Sequence, residues 1–72
     1  MSNLKLVRFL KRISQAKLGK EVGLNSAIIS RLENDLYRNS PAVIRWKAKI
    51  AEVLDTPVES LFPDLRKDAS HD

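Results

Sequence analysis

A chain of 72 residues makes one small domain with a short tail, and at this size only about 60% of the unfolded chain's surface can enter a core. It has no cysteine, no apolar run near the roughly 18 residues a membrane span needs, and no opening signal-peptide pattern; this excludes disulfides, thiolate metal sites and spanning helices, and the expectation is a cytoplasmic protein without a membrane partner. Thirteen Lys and Arg against nine Asp and Glu leave a net charge of +4, unevenly spread: every charged residue up to Lys20 is basic, whereas acids outnumber bases from Pro57 onward. Such a basic half points to a polyanion such as nucleic acid, the plain alternative being a solvated charged face.

Scarce glycine and proline, and few alternating β-branched runs, predict an all-α chain. A first helix is expected at about residues 4–11. Ser14 reads as the N-cap of a second, at about 15–22, ended by Gly23, a residue that enters the left-handed region without steric cost. Asn25 caps a third helix at about 26–34. "DLYRNS" is a loop. Ser40 and Pro41 then supply a cap and a first helical residue for a fourth helix running to about residue 54. "TPVE" reads as a capping box, with Thr56 as cap and Glu59 reaching back, for a short last helix at 57–62 that Pro63 stops. The domain is expected over 1–65 and a disordered tail over 66–72, which holds little to bury.

The second and third helices carry the functional argument. Two short helices joined by a glycine-containing tight turn form a helix-turn-helix. Where they approach, a small residue is needed, and Gly19 fills that place. The turn needs a positive φ, and Gly23 supplies it. The inward faces need apolar groups, met by Leu18 and Val22, by Leu24 in the turn, and by Ile29 and Leu32.

With those demands met between Gln15 and Asn34, "SQAKLGKEVGLNSAIISRLEN" resembles the Cro/Xre-type, lambda-repressor-like helix-turn-helix family. The matching pairs are Ser14-Gln15, Leu18-Gly19, Gly23-Leu24, Ile29-Ser30 and Glu33-Asn34, and the likeness continues through "KIAEVLDTPVESLF". It implies a compact bundle of five short helices that binds double-stranded DNA as a homodimer. Departures are visible. Asp35 and Arg12 stand where the family usually has glycine. Pro41 comes one residue early, and in that frame Lys47 falls at a usual leucine position, with Trp46 as the candidate to fill the space.

Steps of about 100° per residue put Ile29 and Leu32 on the core side of the third helix. Ala27, Ser30, Arg31 and Asn34 centre on the opposite side, with Ser26 at its edge. The resemblance implies that this outer face lies in the major groove and reads bases, and family correspondence singles out Gln15, Ser26, Ala27, Arg31 and Asn34. Arg31 is the best base reader, since its planar fork matches guanine O6 and N7; a phosphate or solvent contact is the alternative. Ala27 offers a methyl to thymine or simply favours the helix. Gln15, at the positive end of the second helix, reads as a phosphate clamp, with Lys17 in the same turn. Asn34 and Arg38 are further phosphate candidates, Ser30 and Tyr37 weaker ones. Ile28 either packs partly or touches a thymine methyl. Arg8 and Glu33 match family positions that form an internal ion pair.

The first helix holds more apolar surface than one face needs. Leu6, Phe9 and Leu10 group at i, i+3, i+4 spacing, as the edge of a wide core stripe or as a protein-contact patch. Family dimers meet near the last helix, here at 57–61. Enzyme readings fail on inventory: the lone histidine is His71 in the tail, and no cysteine nucleophile, glycine-rich phosphate loop or close carboxylate pair is visible. No metal, cofactor or small-molecule effector is implied. The leading expectation is a sequence-specific DNA-binding transcriptional regulator. The rival is an antitoxin or adaptor that binds a protein partner and uses DNA secondarily, if at all.

Overall fold

The computed structural model describes residues 2–65; the tail expected at 66–72 lies outside the described residues. The helices are α1 (Leu4–Leu10), α2 (Gln15–Val22), α3 (Ser26–Glu33), α4 (Pro41–Val53) and α5 (Val58–Leu61). Residues 63–65 add a helical turn, and no strand occurs among the described residues. The longest helix, α4, has 13 residues, and no helix of the described chain is long and apolar enough to cross a membrane.

Short polar side chains start α2, α3 and α4 by satisfying amides that have no partner within the helix. Ser14 Oγ accepts from the Lys17 amide at 3.0 Å, Asn25 Oδ1 from the Ile28 amide at 2.8 Å, and Ser40 Oγ from the Val43 amide at 3.3 Å. The first four helices end alike, in a left-handed residue: Arg12 (φ 56°), Gly23 (φ 77°), Asp35 (φ 56°) and Asp55 (φ 50°). After α1, the Ile13 amide donates to Arg8 O and the Arg12 amide to Phe9 O, both at 3.0 Å. The same crossed pair recurs after α3 and α4, which makes these Schellman ends. Only one of the four is glycine, so a non-glycine residue is held in a costly region at the other three.

α5 starts differently from the expected capping box. Thr56 directly follows the left-handed Asp55 that ends α4, and its amide donates to Ala51 O at 3.0 Å. That turn aims its hydroxyl back at Leu54 O, to which it donates at 2.9 Å. Pro57, at ψ 137°, is outside the helix and serves as its N-cap, with no side-chain capping bond. Phe62, at φ −130°, interrupts the helix before Pro63, which opens the turn that follows instead of stopping α5.

The core consists of Leu4, Leu18, Ile29, Leu32, Val43, Ile50, Ala51, Leu54, Leu61 and Phe62. Val22, Leu24 and Ile28 are half-buried against it. Gly19 lies where the chain passes closest to itself: a Cβ there would run into the Leu24 carbonyl oxygen. The space assigned to Trp46 is taken by Lys47 itself, which is 3% exposed. Its stem lies in the core, Nζ donates to Asn39 Oδ1 at 2.6 Å, and the ammonium sits 4.9 Å from the Phe62 ring centroid. Trp46 is half-buried and meets Tyr37 edge-on, with centroids 5.7 Å apart. The wide core stripe on α1 is also corrected. Leu4 and Arg8 face inward, while Leu6, Phe9 and Leu10 remain 59%, 62% and 73% exposed.

Candidate nucleic-acid interface

The outer face of α3 is set by what its inner face must do. Ile29 and Leu32 are buried, and Asn25 holds the first turn. The opposite side then carries Ser26, Ala27, Arg31 and Asn34 exposed, with Ser30 half-buried. Ile28 lies on the boundary, packed against the core. Asn34 Nδ2 donates to Ser30 O at 2.8 Å, so this exposed side chain folds back along its own helix.

Glu33 is the only acid of α3, and it is buried at 7% exposure. One carboxylate oxygen accepts from Arg8 Nε at 2.7 Å and the other from Gln15 Nε2 at 2.8 Å. Arg8 Nη1 also donates to Ile13 O at 3.0 Å. One carboxylate thus joins α1, the first residue of α2 and the end of α3. The only acid of α3 is thus balanced by Arg8 and turned away from the exposed face that carries Arg31. The Gln15 amide keeps its second N–H and its oxygen for an outside partner. Gln15, expected to face DNA as a phosphate clamp, also bonds inward to Glu33, a contact that no local spacing signals between residues so far apart in sequence.

Arg31 is exposed and donates to Tyr37 Oη at 3.4 Å, a long and weak bond. Tyr37 is in turn held edge-on by Trp46. The arginine head is therefore guided, with most of its donors open. Lys17 is exposed in the first turn of α2, and Arg38 is exposed in the loop after α3. Gln15 is bonded to the α3 end, and Ser26, Ala27, Ser30, Arg31 and Asn34 share one helix face. Lys17 and Arg38 belong to neighbouring segments and make no side-chain bond to that face.

Near the last helix, Leu61 is fully buried in the core of its own chain. Pro57, Glu59 and Ser60 are exposed and Val58 is half-buried. The exposed surface of the segment where the resemblance places a dimer contact is therefore largely polar. Among the described residues, no group of three or more His, Asp or Glu is placed to hold a metal ion. No protein-family model matches the chain, and neither does any curated protein sequence.

Proposed function

We propose that this protein is a sequence-specific, double-stranded DNA-binding transcriptional regulator of the lambda-repressor-like helix-turn-helix kind. In this reading α3 enters the major groove. Arg31 bonds guanine O6 and N7, while Ser26, Ala27 and Ser30 line the groove beside it. The start of α2 meets the phosphate backbone through Gln15, Lys17 and the positive end of the helix. Asn34 and Arg38 contact phosphate beyond α3. A homodimer would read a pseudo-palindrome with half-sites about 34–36 Å apart. Repression or activation would follow from where the site lies relative to a promoter.

The observation that carries this reading is the burial of Glu33 between Arg8 and Gln15. It leaves α3 with a small, polar, acid-free outer face centred on an available arginine. An adaptor whose α3 served another role would not need that face cleared of acid. The test is selection of bound sites from random duplex DNA with the purified full chain. Recovery of a symmetric motif containing a guanine lost in Arg31→Ala supports the reading. A pool without enrichment rejects it.

A further inference from the structure

We infer that the outer face of α1 is a docking surface for a short acidic amphipathic segment of another protein. The inference does not depend on the DNA reading. Leu6 and Leu10 stand one helical turn apart, about 160° around the helix from buried Arg8 by the 100° step, and Phe9 extends the same face. With 59%, 62% and 73% of Leu6, Phe9 and Leu10 open to solvent, three large apolar groups share one outer sector of the helix. Patches of about 300–600 Å² are the largest that a typical monomer exposes, and they are often interaction sites.

The rim identifies the occupant. Lys5, Lys11 and Arg12 are exposed around the patch, and α1 itself carries no acid. A partner that buries the apolar groups must bring its own charges against these cations, and carboxylates fit where further cations are repelled. A second copy pairing through the same face would set two basic rims against each other. A peptide with a few apolar side chains between Asp and Glu matches both the three apolar groups and the basic rim. The helix is also tied to its neighbours near both ends. The Asn3 amide donates to Leu61 O at 2.8 Å at one end of α1, and Arg8 is locked to Glu33 near the other; this keeps the ordering cost on the peptide side.

The test uses a random-peptide display library selected on the immobilised full chain. Enriched peptides should combine Leu, Phe or Trp with Asp and Glu. As synthetic peptides they should bind at least tenfold more weakly to Leu6→Ser/Leu10→Ser and to Lys5→Glu/Lys11→Glu. Both variants change exposed positions, and circular dichroism checks that they remain helical. The proposal is overturned by no enrichment, by neutral or basic peptides, or by binding that either variant leaves intact. It is also overturned if the Leu6→Ser/Leu10→Ser change abolishes a self-association measured by sedimentation, or a partition onto phosphatidylglycerol vesicles. Those outcomes would assign the face to a second copy or to a membrane surface.

Discussion

Arg8 and Glu33 meet at 2.7 Å with side chains only 10% and 4% exposed, and they join α1 to the end of α3. A buried pair of this kind adds little over a well-packed apolar pair, but losing one partner strands the other charge. Glu33→Ala should therefore destabilise the domain by about 3 kcal/mol, and a lower melting temperature measures it. Gln15→Ala removes only a neutral donor and should cost about 1 kcal/mol. Equal losses in the two variants would show that the ion pair is not the dominant link.

The two glycines of the turn region should fail for different reasons. At Gly19 an added methyl meets the Leu24 carbonyl oxygen, a backbone atom that cannot rotate away. At Gly23 nothing lies within 4 Å of the added atom, but φ is 77°. Gly23→Ala should then cost about 1–2 kcal/mol from backbone strain. Gly19→Ala forces α2 off the turn at about 1–3 kcal/mol, although alanine returns up to roughly 1 kcal/mol of helix propensity. The distinguishing measurement is ligand-free: amide exchange at Leu24 and Asn25 should rise in Gly19→Ala well beyond what its global stability explains. Protection that tracks global stability alone would remove the steric argument.

Arg12 and Asp35 share φ 56° but not the same surroundings. Arg12 has an exposed side chain, so Arg12→Gly relieves about 1–2 kcal/mol of strain, against roughly 0.5–1 kcal/mol of added unfolded-state entropy. A small net stabilisation in urea unfolding is expected. Asp35 accepts from the Ser2 amide at 2.8 Å and has further interactions. Asp35→Gly should bring no gain, because the relief is offset by lost bonds. A stabilisation of Asp35→Gly as large as that of Arg12→Gly would mean that those bonds contribute nothing.

What could be read in the sequence was local chemistry. Ser14, Asn25 and Ser40 cap helices because each offers one short acceptor at the right place, and Gly23 takes the left-handed turn as expected. Arg12 and Asp35 were legible as glycine substitutes, and both have positive φ. The inner and outer faces of α3 followed from its periodicity. Competition between neighbours was not legible. Thr56 could cap α5 or close α4, and the Schellman turn at Asp55 decided it. Core capacity was not legible either. Leu4 and Arg8 fill the space that α1 faces, which leaves Leu6, Phe9 and Leu10 outside. Lys47 took a core position because Asn39 and the Phe62 ring receive its ammonium, a long-range arrangement that spacing does not encode.

Arg31 is the sharpest test of the proposed DNA mode, since its head is open except for a 3.4 Å contact with Tyr37. A bidentate contact to guanine makes Arg31→Ala cost about 1–3 kcal/mol on the selected site and relax preference at one base pair. Arg31→Lys should recover little, because an ammonium lacks the planar fork. Lys17→Ala should instead weaken selected and random duplexes alike and reduce the slope of log K against log salt by about 1. Tyr37→Phe separates guidance from contact: removing the hydroxyl should loosen discrimination at the Arg31 base pair while leaving binding to random DNA unchanged. These four variants, titrated against matched and mutated duplexes at two salt concentrations, give distinct patterns. If Arg31→Ala behaved like Lys17→Ala, losing affinity equally on every sequence, Arg31 would be a phosphate contact and base reading would have to come from Ser26, Ala27 and Ser30.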